Sequence, residues 1–216
     1  MINYKILACL VAIAPISVYY LRFLLRKSKN ESLNEVYWTN HLSNKCESDK
    51  CNLNYCTMYR NAQLKKLIEN AKYSIDLAMH IFTSLELSDA ILQAFKRNIR
   101  VRIICCNLQH GSTGSQVWNL YDEGIAVRFQ KVNGEQLMHH KFCIIDGKNR
   151  VSVLRKTSEV GLKNEPNSIL MSGSCNWTRQ GLYSNWENIV VTSERKLIDS
   201  FEKEFELMWN EFRPQK

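Results

Sequence analysis

The run Met138-His139-His140-Lys141-Phe142-Cys143-Ile144-Ile145-Asp146-Gly147 decides how this chain is read. Its apolar middle predicts a buried strand. Side chains alternate along a strand, so His139 and Lys141 share one face while His140, Phe142 and Ile144 point to the other. A neutral imidazole beside an ammonium suits attack on a phosphodiester: the ring supplies the nucleophile and the cation stabilises charge on the phosphoryl oxygens. Downstream, Gly173-Ser174-Cys175-Asn176 follows a second apolar run. Its small residues admit a phosphate closely, and its polar side chains can hydrogen-bond it.

Strands and helices alternate around these two runs. Helices are predicted over Arg60–Ala71, Leu87–Lys96 with Ser88 as N-cap, Ser115–Tyr121 and Ser193–Phe212, the last with Leu197, Phe201, Phe205, Met208 and Trp209 on one face. Strands are predicted over Ser74–Phe82, Arg100–Cys106, Ala126–Gln130, Leu137–Ile145, Ile169–Ser172 and Asn188–Thr192. This alternation implies an α/β fold, a mixed and largely parallel sheet with helices on both faces. The length, 216 residues with 45% hydrophobic and 23% charged, fits one such domain plus an appendage and excludes a large multidomain enzyme.

The appendage is N-terminal. Ile6–Leu21 carries no charge and continues to Leu25 across Arg22, long enough to span a bilayer as a helix. Arg22, Arg26 and Lys27 form a stop-transfer flank, and no small-residue cleavage site follows, so residues 1–27 are expected to be a single-pass anchor with the domain facing the cytosol. Of the net charge of +8, five cations sit in the first 29 residues, leaving a surplus of only three for the rest. The total therefore does not argue for nucleic acid; a local patch is needed.

Residues 28–59 are polar and read as a tether leading into a catalytic domain over 60–216. In the tether His41, Cys46, Cys51 and Cys56 form H-x4-C-x4-C-x4-C, a candidate structural zinc site in a reducing compartment. Cys105, Cys106 and Cys143 read as small buried hydrophobes. His140 and His80 read as structural, and His110 as a loop residue.

H-x-K-x4-D followed by G-S-x-N is the signature of the phospholipase D superfamily, filled here by His139, Lys141, Asp146, Gly173, Ser174 and Asn176. With the apolar N-terminus, one motif copy, the runs MHHKFCIIDG and SGSCNWT, and Asn185-Trp186-Glu187-Asn188, the chain resembles the Zucchini-type mitochondrial branch of that superfamily, insect members above all. The resemblance implies a phosphohistidine at His139, phosphate held by Lys141, Ser174 and Asn176, and Glu187 bonded to His139 to fix its tautomer. It implies no catalytic metal. Asp146 belongs to the motif by name and stands at the strand's end, where it either touches substrate or braces the structure. One motif supplies half of an active site, so a homodimer is expected, with the second His139 protonating the leaving oxygen.

The resemblance further implies an endonuclease of single-stranded RNA in piRNA production at the mitochondrial outer membrane. The alternative is a hydrolase of cardiolipin to phosphatidic acid, since the chemistry at phosphorus is the same. A catalytically dead RNA-binding scaffold is disfavoured, because every motif residue is present. Residues 148–168 read as a basic insertion whose cations, Arg155, Lys156 and Lys163 in particular, are expected to flank the site and bind RNA.

Overall fold

Strand β2 (Ser74–Met79), SIDLAM, is buried at every position and lies inside a seven-stranded sheet. The computed structural model describes residues 32–42, 56–107, 114–130, 136–157 and 167–214. Its other strands are β1 (Asn34–Thr39), β3 (Arg100–Cys105), β4 (Ala126–Phe129), β5 (Lys141–Ile145), β6 (Ile169–Gly173) and β7 (Glu187–Thr192), in the spatial order β1-β7-β6-β5-β2-β3-β4. The described helices are α1 (Thr57–Glu69), α2 (Leu85–Lys96), α3 (Gln116–Asp122), α4 (Lys148–Thr157), α5 (Arg179–Tyr183) and α6 (Arg195–Glu211).

The sheet is mixed, as expected, but it is not largely parallel. Only β2–β3 and β3–β4 run parallel; β2–β5, β5–β6, β6–β7 and β7–β1 are antiparallel. The cause lies in the connections. Ile145 pairs with Ile169, so the segment between β5 and β6 leaves and re-enters the sheet at the same end instead of crossing it. The expected tether is also corrected in part: residues 34–39 form an edge strand paired with β7, and the compact unit begins at Asn34 rather than at residue 60.

Helix α6 crosses one face of the sheet. Its Ile198, Phe205 and Met208 pack on Ala78, Ile104, Phe142, Ile144 and Leu170, with Phe201, Trp209 and Phe212 at the margin. Truncating such a buried aromatic as Phe205 costs about 3–5 kcal/mol. Beneath this helix Arg102 makes a two-pronged pair with Asp76, at 2.7 and 2.8 Å, and reaches Glu206 at 2.7 Å. Side chains cap the starts of α2 and α5: Ser84 accepts from Leu87 N at α2, one turn before the expected Ser88, and Thr178 accepts from Gly181 N at α5.

The anchor read over residues 1–27 lies outside the described residues. Among the described residues no helix is long and apolar enough to cross a membrane.

Candidate active site

The C-terminal end of β2 and the N-terminal end of β5 meet at one edge of the sheet, because the two strands are antiparallel and Met79 pairs with Lys141. His139 stands just before β5 and is exposed; Lys141 is its first residue and is only 8% exposed. The Lys141 ammonium donates to the His139 carbonyl at 2.7 Å and lies 3.0 and 3.2 Å from the ring's Nδ1 and Nε2. Whichever nitrogen is unprotonated can accept from it. Burial lowers the Lys141 pKa, and Glu187 works against that shift.

The G-S-x-N run arrives from the next strand pair. Gly173 ends β6 where a Cβ would strike the Asn188 carbonyl, so only glycine lets β6 and β7 approach this closely and lets Ser174 N donate to Asn188 O at 3.1 Å. Asn176 accepts from Ile81 N at 3.1 Å through Oδ1, which leaves its amide Nδ2 as the donor for a ligand. The loop after β2 is stitched to the same segment, with Thr83 N and Ser84 N both donating to Trp177 O at 2.9 Å. His139, Lys141 and Asn176 are thus held by backbone contacts between three separate stretches of chain.

Glu187 differs from expectation. It accepts from Ser174 Oγ and from Asn185 Nδ2, the latter at 3.2 Å, and makes no bond to His139 among the described residues. Its effect on the centre is to orient Ser174, which also accepts from Asn188 N at 3.2 Å, and to raise the proton affinity of Lys141.

Asp146 is removed from the site. It lies at the far end of β5, five residues and about 16 Å from Lys141 at the usual rise of a strand. Its carboxylate accepts from the backbone N–H groups of Lys72, Tyr73 and Ser74 at 2.7–3.1 Å. It holds the turn into β2, and its own φ of 54° places it among the residue types that tolerate the left-handed region.

The insertion is corrected as well. Residues 148–157 form α4, which departs from the Asp146 end of the sheet, opposite His139. Lys156 is exposed on α4, and no described contact brings it to the site; the Arg155 side chain and Lys163 lie outside the described residues. The metal candidates are split: Cys46 and Cys51 are outside the described residues, Cys56 is buried before α1, and His41 is exposed with its ring edge-on to Trp186 at 6.0 Å. Among the described residues no three His, Cys, Asp or Glu side chains converge as a metal site.

Cys105, Cys106 and Cys143 are buried free thiols, as read, and burial pushes the Cys175 thiol up to about 12, out of reach of nucleophilic chemistry. His140 reaches outward to Glu204 at 3.3 Å, and His110 is outside the described residues.

His80, which reads as structural from sequence, belongs to this centre. It follows β2, and its ring centroid is 4.5 Å from that of His139, the planes tilted by 51°. Both of its ring nitrogens are buried without a hydrogen-bond partner among the described residues. Leaving a buried polar group unpaired costs about 1–3 kcal/mol. Burial, then Lys141 and His139, lowers its pKa and keeps the ring neutral. The only sequence signal was its place at the end of a buried strand that a second motif-bearing strand must meet.

Beside His139 lies a cavity of about 420 Å³ walled by Leu137, Met138, Met208 and Phe212, with Gln130, His140 and Glu204 as its other polar members.

The family model described as cardiolipin synthase, PLD-like domain matches residues 64–209. A Drosophila melanogaster protein named mitochondrial cardiolipin hydrolase is 41% identical over 170 residues, covering 79% of this chain and 66% of that protein. Proteins of the same name from Xenopus laevis and Homo sapiens are 34% and 31% identical, over 67% and 72% of this chain and 58% and 53% of theirs. The chain thus spans just over half to two thirds of the length of these relatives. In fold it is similar to NucT from Helicobacter pylori (TM-score 0.62, 21% identity, 84% of this chain and 98% of that one). It is likewise similar to Nuc, a phospholipase D family member from Salmonella typhimurium (TM-score 0.60, 20% identity, 86% and 99%).

Proposed function

Because this chain belongs to the phospholipase D-like family, we propose that it hydrolyses a phosphodiester in two displacements at His139. A ring nitrogen attacks phosphorus, the N–P bond forms, and the P–O bond to the leaving group breaks. Water then attacks the same phosphorus and releases the imidazole. Lys141 and the Asn176 amide bind the non-bridging oxygens, where negative charge grows in the transition state. The carrying observation is the placement of the Lys141 ammonium 3.0 and 3.2 Å from the ring nitrogens of an exposed His139. The leaving oxygen needs a proton from the far side, and a second His139 across a twofold axis supplies it in a homodimer.

Single-stranded RNA is the substrate that the resemblance to the Zucchini-type branch implies, with the protein at the mitochondrial outer membrane and its domain toward the cytosol. Exposed Trp186 beside Glu187, and exposed Trp38 paired in register with Asn188, support this reading by offering stacking faces next to the site. The cations of the insertion no longer support it. Cardiolipin is the second reading, favoured by the relatives' name and by the apolar wall of the cavity beside His139, in which no Lys or Arg takes part among the described residues. Labelled single-stranded RNA and cardiolipin vesicles offered side by side to the purified full chain test the two. Hydrolysis of neither, under conditions where both are bound, contradicts the proposed chemistry.

A further inference from the structure

We propose that His80 is a positioning residue for His139: its ring takes the hydrogen bond that decides which nitrogen of His139 faces phosphorus. The inference rests on the phosphodiesterase reading and adds to it a residue outside the H-x-K and G-S-x-N runs.

A nucleophilic imidazole works from one nitrogen, and the bond made by the other selects the tautomer and the ring orientation. Glu187 makes no bond to His139 among the described residues; its two oxygens accept from Ser174 and Asn185 instead. Lys141 lies at similar distances from both ring nitrogens and so does not distinguish them. The His80 ring lies directly against that of His139. The two centroids are 4.5 Å apart and tilted by 51°, so the rings are in direct contact, and the proposed bond forms when His139 turns about its Cβ–Cγ bond to aim a ring N–H at a nitrogen of His80.

Both nitrogens of His80 are otherwise unpaired and buried among the described residues, so the bond displaces no existing partner. A donor lysine nearby and a desolvated setting keep the ring neutral, as an acceptor must be. The frame is fixed on both sides: His80 N donates to His140 O at 2.9 Å, and the next residue's N–H holds the Asn176 side chain. The positioning ring, the nucleophile and the phosphate-binding amide are therefore set by adjacent backbone bonds.

The test uses the purified full chain and bis(p-nitrophenyl) phosphate. His80→Phe keeps a ring and removes both nitrogens, whereas His80→Gln restores a side-chain acceptor. His80→Phe is expected to lower kcat by about 10- to 100-fold, the scale on which outer partners act on metal-bound imidazoles. KM should stay within about threefold, because substrate contacts are untouched. His80→Gln should recover most of the loss, which a packing role alone does not predict.

Should His80→Phe fail to fold, nitrogen-detected spectra of the wild-type imidazoles decide: one dominant tautomer at His139 with a neutral His80 is expected. An even tautomer mixture, or a His80 that takes a proton before His139, overturns the inference. So does a kcat for His80→Phe within about twofold of wild type. His139→Asn separates the two claims: if it is silent while His80→Phe is fully active, only the role of His80 is withdrawn. If His139→Asn itself turns over normally, the phosphodiesterase reading fails with it.

Discussion

Asp146 and His139 belong to one H-x-K-x4-D run yet stand at opposite ends of β5, one binding backbone amides of residues 72–74 and the other open to solvent. Bonds from neutral donors to a charged acceptor are among the stronger ones in a fold, so the aspartate contributes stability.

Asp146→Ala should therefore unfold more readily, by about 2–4 kcal/mol, because three N–H groups lose their acceptor together. Turnover per folded molecule should stay within about threefold of wild type, since the change lies a strand's length from phosphorus. Denaturant titration alongside a rate measurement at a temperature where the variant is folded separates these effects. A kcat loss without a stability loss would place Asp146 in the chemistry.

Glu187→Gln tests the electrostatics of Lys141. Burial lowers the lysine's pKa and Glu187 opposes that shift, so neutralising the glutamate carries the pKa further down. In the proposed chemistry the ammonium is the active form. The alkaline limb of the kcat/KM profile should move to lower pH, with activity at acid pH far less affected. An alkaline limb that stays in place would mean that Glu187 acts on Ser174 alone.

Glu202, 3% exposed on α6, sits beneath Gly147 and accepts from Asn149 N at the start of α4. Burial raises its pKa from 4.5 to about 7, against the pull of the Asn149 and Arg150 amides. A carboxyl whose folded pKa exceeds its unfolded value holds its proton more tightly when folded. The contribution of Glu202 to stability is then full below about pH 4.5 and is lost as pH rises through about 7. Glu202→Gln should be more stable than wild type at pH 8, by about 1–3 kcal/mol. At pH 4.5 the two should be similar. Equal stabilities at both pH values would show that the buried carboxyl does not titrate in this way.

The residues of the site were legible in the sequence wherever chemistry dictates spacing. His139 and Lys141 share an edge because a strand alternates, and Gly173 is needed because two strands touch backbone to backbone there. Strand direction was not legible, since burial periodicity records which positions are covered and not which neighbour runs alongside. Strand β1 was hidden for a related reason: Val36 and Trp38 face solvent while Tyr37 and Thr39 are buried, so apolarity pointed to the wrong face. His80 and the true partners of Glu187 depend on contacts between segments distant in sequence, which no local pattern encodes. The cations of residues 148–157 lie close to the motif in sequence but leave from the other end of the sheet.

The chemistry proposed for this centre turns on a covalent bond between His139 and phosphorus. Acid-free quenching of the full chain during turnover of bis(p-nitrophenyl) phosphate, followed by peptide mass analysis, tests it directly. A p-nitrophenyl phosphoryl adduct on the peptide holding His139 is predicted, appearing before steady state and absent from His139→Asn, which should be inactive. Undiminished turnover by His139→Asn, or an unmodified His139 peptide during a phase in which leaving group is released faster than final product, would contradict the account.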